Sequence, residues 1–205
     1  MPPTEPTVNE PTFWEHLYEQ DRAGWDIGAP TPPLANWLAG PDAPPAGLRV
    51  AVLGCGRGHE VLLFARAGHQ VTGFDFAPSA VRATRARLAA AGLPGAVEQA
   101  DIFQLGPRWQ AAFDLVVEHC CFCAIDPSRR PEYVTVVRDL LAPSGRLVAL
   151  FYAHGREGGP PFSTSSAEVE RLFSPAFIVE RLERARDSVP QRADQELFAL
   201  LRKRA

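Results

Sequence analysis

Two features of the chain could do chemistry together. Gly54-Cys55-Gly56-Arg57-Gly58 follows the apolar run Leu48–Leu53, and Asp75 ends the next apolar run, Val71-Thr72-Gly73-Phe74. Glycines at such a turn open backbone angles closed to other residues and let a ligand approach the main chain. A carboxylate at the end of the neighbouring strand can accept hydrogen bonds from both hydroxyls of a ribose. The unit therefore reads as a place where a nucleoside lies across the turn. Phe76 follows the acid directly. Further along, Asp101-Ile102-Phe103 ends a third run, where the acid can accept an adenine amino group and the apolar pair can flank the ring. Glu118 and His119 follow Phe113–Val117, and Tyr152 ends Arg146–Phe151. In open parallel sheets ligands sit beyond the carboxyl ends of the strands, so Glu118 and His119 are expected to face the same site.

Spacing separates the nucleoside classes. A dinucleotide fingerprint places glycines first, third and sixth. Counted from Gly54, the sixth place is His59, and the third glycine arrives one residue early at Gly58. The turn fits a pyrophosphate poorly, which argues against an NAD-dependent oxidoreductase.

These residues need a scaffold of alternating strands and helices. Helical spacing from Glu60 to Ala67, a proline-initiated helix from Pro78 to about Ala91, and a helix after Asp126-Pro127-Ser128 to about Leu141 separate the strands. Ala142–Gly145 reads as a turn and Ser163–Phe173 as another helix. Phe177–Arg184 and Gln195–Arg202 read as closing strands, although the second also suits a helix. The expected fold is α/β, doubly wound and Rossmann-like. Ahead of it, Thr12 is placed to cap a helix from Phe13 to about Asp21, and Pro32–Leu38 reads as a second. Trp14 and Tyr18 are four apart and share a helical face, and Trp25 follows in a loop. Three rings near the N-terminus suggest a lid; aromatic faces attract a cation by about 0.5–2 kcal/mol. The organisation is one domain: residues 1–11 a mobile arm, 12–46 lid helices, 47–205 the core.

Bulk properties narrow the partners. Acids exceed bases 24 to 21, a net of −3, which offers no electrostatic case for nucleic acid or an anionic membrane. No apolar run is long enough to span a bilayer and no signal pattern opens the chain, so the expectation is a cytoplasmic monomer. The cysteines, Cys55, Cys120, Cys121 and Cys123, suit reduced thiols rather than a disulfide framework. No metal is expected: alternate strand residues point opposite ways, so His119 and its neighbouring cysteines do not converge.

Four motifs together resemble the thiopurine methyltransferase superfamily, and within it the halide/thiol branch: Trp25-Asp26-x-Gly28-x-x-Thr31-Pro32, Gly54-Cys55-Gly56-x-Gly58, Phe122-Cys123-Ala124-Ile125-x-Pro127-x-x-Arg130-Pro131 and Gly158-Gly159-Pro160-Pro161. The resemblance implies a class I methyltransferase fold with a seven-stranded, mostly parallel sheet. It implies S-adenosylmethionine (SAM) as cofactor, S-adenosylhomocysteine as product and no metal. It further implies that Trp14, Tyr18 and Trp25 contact SAM, that Gly54, Cys55, Gly56 and Gly58 form its loop, that Asp75 and Phe76 hold the ribose end, and that Asp101 and Ile102 meet adenine. Glu118 and His119 stand where the family has an acid and a cofactor-contacting tyrosine, and Tyr152 matches an acceptor-pocket tyrosine.

The implied reaction is methyl transfer to a thiol, bisulfide or halide ion. O- or N-methylation of a small molecule, or SAM binding without catalysis, are the alternatives. Displacement from a sulfonium needs alignment and dehydration more than strong acid or base chemistry. His119 is expected to assist thiol deprotonation, since imidazole titrates near neutrality, and Tyr152 to position the acceptor.

Overall fold

Residues 6–205 are described in a computed structural model. The first strand, β1 (Arg49–Leu53), alternates Val50 and Val52 into one apolar layer with Ala51 and Leu53 into the other. A strand apolar on both faces belongs in the middle of a sheet covered twice by helices. Chain order is α1 (Pro11–Glu19), α2 (Pro32–Ala39), β1, α3 (His59–Arg66), β2 (Gln70–Asp75), α4 (Pro78–Ala91), β3 (Ala96–Gln99), β4 (Phe113–His119), α5 (Arg130–Leu140), β5 (Leu141–Tyr152), α6 (Ser166–Phe173), β6 (Phe177–Arg184) and β7 (Glu196–Lys203).

Among the described residues seven strands form one sheet, in the order β3-β2-β1-β4-β5-β7-β6. The pairs among β1 to β5 are parallel, while β7 lies antiparallel between β5 and β6. The fold is thus the doubly wound, mostly parallel, Rossmann-like arrangement expected from the sequence. On one face Phe122, Tyr133, Phe151 and Phe173 fill the core. On the other, Phe64 of α3, Trp37 of α2 and Phe198 of β7 pack together, with ring centroids 6.5 and 6.2 Å from Trp37. The order reverses between β1 and β4, which opens a crevice at their carboxyl ends.

Several boundaries differ from the sequence expectations. The arm expected over residues 1–11 falls partly outside the described residues, which begin at Pro6. From there Glu10 N donates to Thr7 O (2.9 Å) and Trp14 Nε1 to Val8 O (2.9 Å). Glu10, not Thr12, occupies the N-cap of α1, with Pro11 opening the helix. α2 packs into the apolar layer on that second face, with Leu34 and Trp37 clustered against Phe64 and Phe198. Ala142–Gly145 falls inside β5 as an irregularity. Phe113 pairs with Leu141 and Leu115 with Arg146, so the extra β5 residues bulge out, with Ser144 at φ 60°. The last segment is a strand because both of its edges are paired.

Candidate active site

A cavity of about 590 Å³ opens at the carboxyl ends of the central strands, within the size range of small-molecule sites. Gly54, Cys55 and Gly56 after β1, Asp75 at the end of β2 and Phe76 after it, Asp101 and Ile102 after β3, His119 of β4 and Tyr152 of β5 all line it, as do Trp14, Tyr18 and Trp25.

The turn after β1 is shaped around Asp75. Gly56 has φ 53° and its N–H donates to Asp75 Oδ2 (2.8 Å), while Ala77 N donates to Oδ1 (2.9 Å). Each carboxylate oxygen keeps a further lone pair for a ligand. Burial pushes the Asp75 carboxyl up to about 6, against the pull of those backbone donors. A side chain on Gly56 would come within 3.1 Å of the Tyr18 hydroxyl.

The three rings expected to form a lid make one cluster. Trp14 and Tyr18 each meet Trp25 edge to face, at 5.4 and 5.5 Å between centroids, the arrangement aromatic quadrupoles favour. α1 is fastened to α4 through Glu15, which accepts from Ser79 N (2.8 Å) and Ser79 Oγ (2.6 Å). Asp101 caps the short 3-10 turn Ile102–Gln104 by accepting from Phe103 N (2.9 Å).

Two expected contacts lie elsewhere. Glu118 points to the opposite face of the sheet from His119, because consecutive strand residues alternate. It is 1 % exposed, accepts from Phe122 N (2.9 Å) and from the Tyr133 hydroxyl, and does not line the cavity. Burial pushes its carboxyl up to about 7. Gly58 does not line the cavity either. It caps α3 at φ 79°, and an added Cβ would lie 2.4 Å from Thr84 Cγ2. That glycine serves the packing of α3 on α4.

His119 is held on both ring nitrogens. Nδ1 lies 3.0 Å from Glu60 Oε1, and Nε2 lies 3.1 Å from Arg192 Nη1. Burial pushes the ring's pKa down, but the Cys120 sulfur and the Glu60 carboxylate raise it well above the ordinary histidine value. A guanidinium donating to Nε2 instead calls for a neutral ring with its proton on Nδ1. Protonated, the ring has no lone pair; neutral, its one lone pair is taken by Arg192. In neither state can it accept a thiol proton as it stands, so the expected base role does not match this geometry.

Glu60 and Arg192 were not signalled by the sequence. Glu60 sits in the first turn of α3 and also accepts from Thr31 N (3.1 Å). Burial raises its carboxyl, yet His119 and Thr31 bring it below the ordinary range. Arg192, from a 3-10 turn before β7, donates Nη2 to Trp25 O (2.8 Å) and Nη1 to Cys120 Sγ (3.3 Å); Glu196 Oε1 is 3.5 Å away. Its guanidinium lies 5.7 Å from the Tyr152 ring centroid. The Tyr152 hydroxyl accepts from Arg156 Nη2 (3.3 Å).

The family described as Thiopurine S-methyltransferase (TPMT) matches residues 9–203. An Arabidopsis thaliana protein named probable thiol methyltransferase 2 is 33 % identical over 79 % of this chain and 71 % of its own length. Thiocyanate methyltransferase 1 of the same plant is 31 % identical over 89 % of this chain and 81 % of its own. Among solved structures, the Burkholderia thailandensis 1,6-didemethyltoxoflavin-N1-methyltransferase, with S-adenosylhomocysteine bound, superposes with a TM-score of 0.75 at 22 % identity. That superposition covers 95 % of this chain and 87 % of the other, a likeness of fold. On the match over residues 9–203, the chain belongs to the thiopurine S-methyltransferase family.

Proposed function

We propose that the protein transfers the methyl group of SAM to a small anionic nucleophile, most simply a thiolate or bisulfide, with halide and thiocyanate ions as further members of the class. When bound, SAM supplies a methyl group on a cationic sulfur. Asp75 would hold the ribose, Asp101 with Ile102 the adenine, and Trp14, Tyr18 and Trp25 the region of the sulfonium. The chemistry of this donor set suits the molecule: one carboxylate beside a glycine turn, an apolar adenine slot and clustered π faces in a cavity of adequate size.

The observation that carries the acceptor class is Arg192. Along the sheet edge Asp75 lies to one side of β1, and His119 and Tyr152 lie to the other. Arg192 places its cation at that second end, against His119, Cys120 and Tyr152. The imidazole there is engaged at both nitrogens. An end with a buried cation and an imidazole that cannot take a proton suits a nucleophile that arrives already charged. It suits a neutral hydroxyl or amine acceptor less, since these must shed a proton. Arg192 and Tyr152 bind and orient the acceptor, and the ring cluster excludes water. The plant relatives named for thiol and thiocyanate methylation support the same class.

The test is to incubate the protein with SAM and, separately, a small thiol, bisulfide, thiocyanate, iodide, a phenol and an amine. S-adenosylhomocysteine is then quantified together with the methylated product in headspace and solution. Product is expected with one or more of the anions and thiols. Turnover confined to the phenol or amine would overturn the acceptor class; no turnover with any would overturn the enzymatic reading.

A further inference from the structure

The proposed reaction leaves the thiols at the end of β4 unused. The chain there reads Cys120-Cys121-Phe122-Cys123, two cysteines three positions apart with a third between. Cys120 has φ 66°, a left-handed conformation that non-glycine residues seldom adopt. That conformation ends the strand and starts a tight turn, with Ala124 N donating to Cys121 O (2.9 Å). The turn brings the Cys123 thiol back onto Cys120: its Sγ donates to the Cys120 carbonyl at 3.3 Å. Both residues line the cavity, Cys120 partly exposed and Cys123 buried.

The surroundings of Cys120 differ from those of the other cysteines. Arg192 Nη1 lies 3.3 Å from its sulfur, and His119 precedes it in β4. Glu60 of α3 stands behind His119, and Glu196 of β7 stands beside Arg192. The neighbouring Cys123 thiol, then His119 and Arg192, outweigh burial and hold the Cys120 thiol well below its ordinary range. Cys55 and Cys121 are pushed the other way, chiefly by burial, and Cys123 chiefly by the Cys120 thiol beside it. The thiolate is the nucleophilic form of cysteine, so one sulfur of the four is set apart.

We infer that Cys120 and Cys123 form an oxidant-reactive thiol pair in the cavity, Cys120 attacking and Cys123 resolving, which a hydroperoxide converts to an internal disulfide. In the first step the Cys120 thiolate attacks a peroxide oxygen. The S–O bond forms, the O–O bond breaks and the other oxygen leaves as hydroxide or alkoxide, which takes a proton. Sulfur loses two electrons and the peroxide gains them. In the second step Cys123 gives up its proton and attacks the Cys120 sulfur. The S–S bond forms, the S–O bond breaks and water leaves. The net change is two thiols and one hydroperoxide to one disulfide, one water and one further water or alcohol. Bridging withdraws the Cys120 sulfur from Arg192. The Cys123 carbonyl accepts from Phe162 N (2.7 Å), beside Pro160 and Pro161 of the cavity wall.

The experiment treats the reduced full-length protein with hydrogen peroxide at low molar excess and follows mass, so it does not depend on the methyl-transfer reading. The expected result is loss of two hydrogens, reversed by dithiothreitol. Fragmentation should locate the change to Cys120 and Cys123 within the peptide that carries them. With Cys123→Ser, dimedone should capture a sulfenic acid on Cys120, at least about tenfold faster than on Cys121. With Cys120→Ser, no disulfide should form. Iodoacetamide should alkylate Cys120 with a midpoint below that of an ordinary thiol, shifted upward by Arg192→Met. Four free thiols after peroxide, a bridge between Cys55 and Cys121, or equal labelling of Cys120 and Cys121 would overturn the inference.

Discussion

Arg192 Nη2 donates to the Trp25 carbonyl oxygen over 2.8 Å, so a residue of the C-terminal hairpin holds the loop that carries one of the three clustered rings. The same guanidinium contacts His119, Cys120 and Glu196. The aromatic cluster and the proposed acceptor end therefore share one cation. Arg192→Met is predicted to destabilise the fold by about 2 kcal/mol or more, because Glu196, 2 % exposed, loses its partner. Among folded molecules, the acceptor KM should rise at least about tenfold, more than the Kd for SAM. Urea unfolding and steady-state kinetics on the same preparation check both parts.

His119→Gln tests whether the imidazole moves a proton. Glutamine can accept from Arg192 through its oxygen or donate to Glu60 through its amide. The geometry predicts an unchanged shape of the pH–rate profile, with kcat lowered only by a small factor through looser positioning. A lost limb in the profile near neutrality would restore the base role.

Gly58→Ala separates packing from ligand contact. The substitution combines a left-handed φ of 79° with a Cβ 2.4 Å from Thr84 Cγ2. Destabilisation of roughly 1–3 kcal/mol is expected by thermal or urea unfolding. The Kd for SAM measured below the transition should stay within about twofold of wild type. A weakened Kd at full stability would place this glycine against the ligand after all.

Glu118 gives the fold a pH dependence. Burial holds its carboxyl at about 7 against an ordinary value of 4.5. The folded state therefore binds the proton more tightly than the unfolded chain. Its contribution to stability is full below about pH 4.5 and is lost as pH rises through 7, a change on the order of 3 kcal/mol. Glu118→Gln keeps an acceptor for Phe122 N and a donor for the Tyr133 oxygen without the charge. It should gain stability relative to wild type as pH rises across that window. Parallel stability curves would contradict this.

What the sequence reveals and what it hides follow from the range of each interaction. Strands and glycine turns declare themselves through neighbours in the chain, so β1, β2 and the position of Asp75 are legible. The rings Trp14 and Tyr18 share a helical face for the same reason. Glu118 and His119 mislead because a strand end places both near the site, while alternation lets only one turn towards it. Gly58 misleads because its partner is Thr84, on another helix. Arg192 is invisible because a lone arginine in a Pro-Gln-Arg turn carries no spacing signal; its role comes from β7 inserting between β5 and β6. Glu60 hides as an ordinary first-turn acid of α3.

The account rests most heavily on Asp75 as the ribose anchor of SAM, and equilibrium titration with SAM and NAD tests it most directly. Burial holds the free carboxyl at about 6, whereas two hydroxyl donors favour its charged form. SAM affinity should therefore rise with pH through about 6 and level off above it. Asp75→Asn should weaken binding by about 10–100-fold and abolish that dependence, and NAD should not compete. SAM binding that is absent, that ignores pH across this range, or that survives intact in Asp75→Asn would contradict the account.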